Sequence, residues 1–212
     1  MKEKRIMEVE DLTFDKLKDG IIYVLTRKNE ELANYVPHVD YLDLMIVFYW
    51  RKSVSEYCPI NNGIAETMDV DADDLMLAAM ENTSRLMGYT VKGILSVIAD
   101  CCGYEMFDFK AIDEEIPMYI ASNNIFYNGA CVMLYNGFMR ALAKKLGSNL
   151  FIIPSSVHEI IVLRDLGNGE LETDRLKEMI SYVNQTEVRP EDKLSDSLYY
   201  YDRETDKITI VE

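Results

Sequence analysis

Apolar runs separated by polar turn residues divide the first half of the chain into short elements. The run "IIYVLT" after Gly20 is typical of a strand, and "LMIVFYW" at 44–50 has the continuous apolar content of a strand covered on both faces. Between them, "NEELANYV" predicts a short helix that ends before Pro37. The dipeptide Asn62–Gly63 predicts a hairpin leading into "IAETM". We therefore expect the chain to begin with β-structure.

Two helices are predicted in the middle of the chain. In "DADDLMLAAMENTSRLMG", Asp71 or Asp73 can cap the first turn and Gly88 can supply a left-handed end. "VKGILSVIADCC" predicts a further helix, weakened by its glycine. The acidic stretch 105–116 that follows is the expected boundary between two subdomains, 1–115 and 116–212, which we expect to form one continuous globular unit.

The second half alternates between strands and helices. "PMYIASN" predicts a strand, and "GACVMLYNGFMRALAKKLG" predicts one helix in which apolar residues recur at helical spacing from Cys131 to Leu146. A β-rich stretch at 150–164, a helix in "LETDRLKEMISYVNQ" and a hairpin turning near Glu204 to Asp206 complete the chain. This order predicts an α+β fold with a mostly antiparallel sheet, hairpins and three to five helices.

The segment "IIPSSVHEII" at 152–161 carries the strongest candidates for chemistry. Pro154 interrupts a central strand, so we interpret the segment as a hairpin with Ser155 and Ser156 at its tip. Alternation along the following strand would point His158 and Glu159 to opposite faces, whereas an acid–base pair must converge. We therefore expect a structural role for the segment, and retain Ser156, His158 and Glu159 as weak catalytic candidates.

Two polar or aromatic features are candidates for binding a partner. One is the predicted hairpin tip with Ser155 and Ser156. The other is "YYY" at 199–201, in which alternation either buries Tyr200 and exposes Tyr199 and Tyr201 or does the reverse. Either arrangement suits an edge strand or a protein contact.

Charge and apolar content restrict the partners and the compartment. The formal net charge is −15, which repels phosphates and argues against binding nucleic acid or an anionic membrane surface. The first residues contain no apolar signal region, and no apolar run is long enough to span a bilayer. We expect a cytoplasmic protein whose four cysteines are buried free thiols.

Motifs for metals and cofactors are missing from the sequence. His38 and Asp40 would form a poor metal site with His158. The acidic run "DVDADD" imitates a calcium loop, but Asp74 stands where glycine is required and Met80 where glutamate is required, so helix capping explains it better. No phosphate-binding glycine loop occurs, and we predict no metal and no cofactor.

Several segments together resemble a known bacterial family. They include "VPHVDYLDLMIVFY", "ENTSRL", "PSSVHE" and "LSDSLYYYDRE". This series is similar to DUF5688, a family of unknown function found mostly in anaerobic gut bacteria, and the likeness extends from about Leu12 and is strongest from Pro117 onward. The resemblance implies no activity or cofactor, so it transfers no catalytic residue. Family members often carry sequence before the part matched by Leu12, so we expect this chain to be a short member or a truncated one.

Three functional hypotheses follow. The leading one is a non-enzymatic cytoplasmic protein that binds another macromolecule, either a protein partner or a second copy of itself. The second is a hydrolase that uses His158 with Ser156 or Glu159, with His38 brought in from the first half. The third is an acidic nucleic-acid mimic that binds a basic protein.

Overall fold

Two antiparallel sheets form the frame of the protein. A computed structural model describes residues 13–103, 118–167 and 170–212. The strands of the first sheet are β1 (Ile21–Arg27), β2 (His38–Tyr41), β3 (Leu44–Arg51) and β4 (Tyr57–Pro59). Those of the second sheet are β5 (Thr90–Gly93), β6 (Met118–Ser122), β7 (Leu150–Ile153), β8 (Ile160–Arg164), β9 (Tyr199–Asp202) and β10 (Lys207–Ile210).

Strand order differs between the sheets. In the first sheet β3 is central: β1 pairs with one edge, and β2 and β4 share the other. The second sheet has the order β10-β9-β7-β8-β6-β5, and every described pair in both sheets is antiparallel. The predicted α+β fold with antiparallel hairpins is therefore confirmed.

Helices and short 3-10 turns connect and cover the sheets. The described helices are α1 (Phe14–Leu17), α2 (Glu30–Ala33), α3 (Asn62–Met68), α4 (Ala72–Met87), α5 (Ile94–Cys102), α6 (Phe138–Leu146) and α7 (Glu170–Thr186), with 3-10 turns at Lys18–Gly20 and Gly129–Leu134. Within the described ranges, no helix combines the length and the apolar character needed to cross a bilayer.

One large apolar core lies between the sheets. It includes Tyr23 and Phe48 from the first sheet and Ile152 and Tyr199 from the second, all at most 1% exposed. The 3-10 turn Gly129–Leu134 belongs to the same cluster. A smaller cluster joins the opposite face of the second sheet to α7, and another covers the outer face of the first sheet. Both sheets thus bury side chains on two faces.

Local capping confirms one predicted helix and corrects another element. Asp71 caps α4 by accepting hydrogen bonds from the backbone N–H groups of Asp73 and Asp74, and the Asp74 side chain completes a capping box. The predicted hairpin at Asn62–Gly63 is wrong. Asn61 instead accepts a hydrogen bond from the N–H of Ile64 and caps α3.

Glycines divide two stretches that were predicted as single helices. Gly137 has a φ of 71° and separates the 3-10 turn Gly129–Leu134 from α6, so the long helix from Cys131 to Leu146 is wrong. In "VKGILSVIADCC", Gly93 ends strand β5 and α5 begins at the next residue. Helical spacing alone did not reveal either break.

Two further expectations have mixed outcomes. All four cysteines are free, but only Cys131 is buried, and Cys58, Cys101 and Cys102 are exposed. The expected subdomain boundary at 115/116 lies outside the described residues and stays a prediction.

Candidate functional site

The candidate segment 154–159 forms an irregular loop between two paired strands. Strands β7 and β8 form the predicted hairpin, with Ile153 opposite Ile161, and β8 begins only at Ile160. The prediction that a regular strand separates His158 from Glu159 is therefore wrong, because both residues precede the strand.

Backbone hydrogen bonds fix this loop against the segment 192–195. The N–H of Val157 donates to the carbonyl of Asp192 at 2.8 Å, and the N–H of Leu194 donates to the carbonyl of Ser155 at 3.0 Å. As a result Ser155 and Ser156 are only 4% and 7% exposed. The two serines lie inside the protein, so the expected polar hairpin tip is corrected to a buried loop.

The imidazole of His158 joins two other loops. Its Nδ1 accepts a hydrogen bond from the backbone N–H of Asn128 at 3.2 Å, and its Nε2 lies 3.1 Å from Oδ1 of Asp192. Because a backbone N–H can only donate, Nδ1 carries no proton and Nε2–H donates to Asp192. The ring therefore connects the two loops, and it also packs beside Tyr127 at a centroid distance of 5.4 Å.

The three catalytic candidates are close together but do not form a nucleophile–base pair. The hydroxyl of Ser156 accepts a hydrogen bond from the backbone N–H of His158 at 3.0 Å. Both ring nitrogens of His158 are bonded to Asn128 and Asp192, so neither faces that hydroxyl. Burial raises the pKa of Glu159; the Ser156 hydroxyl and His158 oppose this rise, and Asp192 adds to it.

A cavity of about 590 Å³ lies beside this histidine. The outer face of the first sheet supplies an apolar wall through Val24, Val47 and Tyr49. The lining also includes His158 and three charged residues, Arg189, Glu191 and Asp192. The cavity thus combines apolar groups of the first sheet with two carboxylates and one guanidinium.

An exposed aromatic loop, residues 123–128, borders the cavity. Ile125, Phe126 and Tyr127 are 38%, 51% and 53% exposed, an unusual cluster of large apolar side chains in solvent. Asn123 is fully buried beneath them: its Oδ1 accepts from the N–H groups of Ile125 and Tyr127, and its Nδ2 donates to the carbonyl of Tyr127 at 2.8 Å.

Backbone geometry also fixes the aromatic loop. Phe126 and Asn128 each have a φ of 53°, which side chains other than glycine seldom adopt. Next to the loop, Gly129 leaves no space for a side chain, because a Cβ there would collide with the Ser122 hydroxyl and the carbonyl of His158. The loop is therefore held in position before any partner arrives.

Sequence reasoning missed the aromatic loop. The available signal was "NNIFYNG", in which asparagine and glycine residues that favour a turn flank three large apolar residues. Polar residues are the norm at such turn positions. Asp192 gave no comparable signal, since its role depends on a histidine 34 positions away.

The other binding candidates lie away from the surface. Tyr199 and Tyr201 are 0% and 2% exposed, and Tyr200 lies on the opposite, partly exposed face. Tyr199 donates its hydroxyl proton to Asp43 inside the protein. His38 lies in β2, where its Nδ1 is 3.1 Å from the carbonyl oxygen of Val36, and it does not line the cavity of His158.

A metal ion bound by side chains requires several donor groups that converge on one point. Within the parts of the chain that the structure describes, no three histidine, cysteine, aspartate or glutamate side chains converge on one point. In the acidic run "DVDADD", Asp71 and Asp74 cap α4. The acidic stretch 105–116, which contains Asp113–Glu115, lies outside the described residues.

Two of the segments that carry the family resemblance meet in this region. Leu194 and Ser195, which begin "LSDSLYYYDRE", donate backbone hydrogen bonds to Ser155 and Pro154 of "PSSVHE". The model of DUF5688, a family of unknown function, matches residues 1–203. The chain belongs to the DUF5688 family. Neither a curated protein nor a solved structure matches it significantly. DUF5688 is a family of unknown function, so membership assigns no role to any residue.

Proposed function

We propose that this DUF5688 protein works by binding another protein through the groove formed by the His158 cavity and the aromatic loop. The observation that carries this proposal is the loop itself. Asn123 holds the backbone that presents three exposed apolar side chains, and aromatic groups beside a cavity are the usual anchors of protein interfaces.

Charge favours a basic partner. The chain has a net charge of −15, and the lining of the cavity carries two carboxylates, Glu191 and Asp192, against one cation, Arg189. A field of this sign accelerates association with a positively charged surface and weakens as salt is added. The expected occupant is therefore a polypeptide segment with an apolar side chain next to lysine or arginine.

The decisive experiment compares matched surface variants in quantitative capture and then in binding to the purified partner. Phe126→Gly removes an aromatic ring at a position whose φ suits glycine, and Tyr127→Ser removes the adjacent ring. Tyr182→Ser is the control, because Tyr182 is 64% exposed on α7 and lines no cavity described here. We expect the double variant to weaken binding by at least about tenfold, since a lost anchor costs about 2 kcal/mol.

Two results would contradict this proposal. One is a partner that binds the double variant as tightly as it binds the Tyr182→Ser control. The other is that no captured protein binds the unmodified protein more tightly than the double variant, and that light scattering shows no self-association of the unmodified chain.

Hydrolysis remains the second candidate because one observation favours it. Glu159, with its raised pKa, follows Ser156 and His158 in one loop, and Asp192 from another segment bonds to His158 beside the cavity, an arrangement found at acid–base sites. The hydrolase hypothesis predicts that His158→Ala abolishes turnover in a broad substrate screen at temperatures where the variant is still folded. The bonded state of both ring nitrogens makes this the weaker candidate.

A further inference from the structure

A second cavity, of about 410 Å³, adjoins the groove and is lined by three tyrosines. Tyr49, Tyr57 and Tyr127 surround it, and Ile22 and Met87 complete its apolar wall. The rings of Tyr57 and Tyr127 lie 6.5 Å apart at an angle of 44°. Because Tyr49 and Tyr127 line both cavities, the two lie next to each other.

The chemistry of this lining is selective. Of the described residues, none that lines the tyrosine cavity carries a formal charge, although the chain as a whole has a net charge of −15. An aromatic ring presents a negative face, which attracts a cation within about 6 Å of its centre. Burial raises the pKa of Tyr49, so that ring remains a neutral phenol in the physiological pH range.

Hydrogen bonding fixes one ring of the cavity. The hydroxyl of Tyr57 donates to the carbonyl of Val54 at 3.0 Å, and Nε of Arg51 donates weakly to the same hydroxyl at 3.4 Å. Arg51 therefore reaches the hydroxyl end of the ring and is not part of the lining. The backbone of Tyr127 is held by the Asn123 side chain, whose Nδ2 donates to the Tyr127 carbonyl and whose Oδ1 accepts from the Tyr127 N–H.

We propose that the tyrosine cavity binds an alkylammonium group, with the methyl or methylene carbons against Ile22 and Met87 and the positive charge against the tyrosine faces. Desolvation penalises a bare ammonium more than a methylated one, so a quaternary ammonium is the preferred form. The source that fits the groove is a lysine side chain, methylated or unmodified, on the bound polypeptide. Only the assignment of the ammonium group to a lysine side chain of a bound polypeptide rests on the proposed function.

The test uses the full chain and small probes, without any protein partner. Choline and its uncharged analogue, in which carbon replaces the ammonium nitrogen, have nearly the same shape but differ in charge. Dissociation constants are measured for both by following amide and methyl NMR signals of residues around the cavity. We expect choline to bind about tenfold more tightly than the analogue, within the range of a partly desolvated cation–π contact.

Variants separate the ring faces from the hydroxyls. Tyr57→Leu and Tyr127→Leu should each weaken choline binding several-fold, whereas Tyr127→Phe, which keeps the ring, should bind choline nearly as well as the unmodified protein. Tyr182→Leu is the matched control and should have no effect, because that tyrosine is exposed on α7 away from the cavity. Each variant is first checked for an unchanged fold by its NMR spectrum.

The outcomes are distinct. Equal affinity for choline and the analogue, no binding of choline, or equal losses in Tyr127→Phe and Tyr127→Leu would overturn the cation site. Tighter binding of a blocked trimethyllysine than of choline supports the polypeptide source, and the reverse order overturns that source in favour of a free ammonium compound. Since no partner takes part, failure here leaves the capture experiment above unaffected.

Discussion

His158 shows how a single side chain acquires its role from residues far away in sequence. Its ring accepts a hydrogen bond from Asn128, 30 positions earlier, and donates one to Asp192, 34 positions later. The adjacent residue, Glu159, has a different environment, in which burial opposes its negative charge. Neighbouring candidates in a motif therefore have separate physical roles, and each can be tested separately.

Replacement of Glu159 should stabilise the protein in a pH-dependent way. Because the folded-state pKa of this carboxyl is raised above its ordinary 4.5, its contribution to stability is fully present below that value and is lost as the pH rises through the folded pKa. Glu159→Gln removes the charge and keeps an oxygen that can accept a hydrogen bond. We expect the variant to have a higher melting temperature than the unmodified protein at about pH 7, and an equal one at about pH 4.

Thermal unfolding followed by circular dichroism across this pH range checks the expectation. Glu187→Gln serves as the control, because Glu187 is exposed just after α7 and its replacement should not change the melting temperature. If the melting-temperature difference in favour of Glu159→Gln grew as the pH fell, it would contradict the assignment that burial raises the pKa of Glu159.

At the scale of elements, local pattern predicted where most strands and helices lie but not where chain segments bend. The alternation from Val157 to Leu163 predicted a strand, yet the strand begins at Ile160, because Val157 bonds to the segment around Asp192 instead of to a neighbouring strand. Such pairing partners are separated widely along the chain. A periodic pattern within one segment carries no information about them.

The turn between β2 and β3 also depends on a distant segment. Asp43 in this turn accepts hydrogen bonds from the hydroxyls of Ser195 at 2.6 Å and Ser197 at 3.0 Å, and from Tyr199. Leu42 before it adopts a φ of 53°. Burial raises the pKa of Asp43, but the three hydroxyl donors outweigh that effect and hold its pKa below the ordinary 3.8. This cluster joins the first sheet to the start of β9.

Removal of this charge should weaken the connection between the two elements. We expect Asp43→Asn to lower the free energy of unfolding by about 1–2 kcal/mol at pH 7, the lower part of the range for charged hydrogen bonds, since Asp43 is only partly buried. Because the folded-state pKa of Asp43 is depressed, its carboxylate contributes stability above pH 3.8, and this contribution is lost as the pH falls through the folded-state pKa. The difference in unfolding free energy between Asp43→Asn and the unmodified protein should therefore shrink in acid. Urea denaturation at several pH values measures it.

Asp40→Asn is the matched control for this prediction. Asp40 lies three residues earlier, and its side chain is 68% exposed and pairs only with Lys28 at 3.3 Å among the ion pairs of the described residues. An exposed pair of this kind contributes little, so we expect no more than about 0.5 kcal/mol. Equal effects of the two substitutions would show that the hydroxyl cluster does not stabilise the turn.

For the whole molecule, the fold class could be predicted from sequence because it depends on local periodicity and turn chemistry. The shared core could not, since it joins Tyr23 and Phe48 to Ile152 and Tyr199 across more than half of the chain. The same limit applies to the candidate site: the sequence identified His158, whereas Asn123 and Tyr127 required the folded arrangement.

A core shared by both sheets should make the protein unfold as one unit. Trp50 is the single tryptophan and lies in β3, so its fluorescence reports on the first sheet, whereas circular dichroism reports on the whole chain. Ile152 in β7 is fully buried in the shared core, and Ile152→Val should lower the free energy of unfolding by about 1 kcal/mol. Because the two sheets are joined, both signals should shift to the same lower urea midpoint.

The control for this final expectation is Ile210→Val on the edge strand β10, where the side chain is 38% exposed and little change should follow. If Ile152→Val shifted the circular dichroism midpoint and left the Trp50 transition in place, the two sheets would unfold separately. Coincident shifts would instead mean that contacts such as Asp43 with Ser195 and Tyr23 with Tyr135 transmit a loss of packing from one sheet to the other. A groove built from both sheets would then keep its shape only while the entire core is intact, which ties binding at the aromatic loop to the stability of the molecule as a whole.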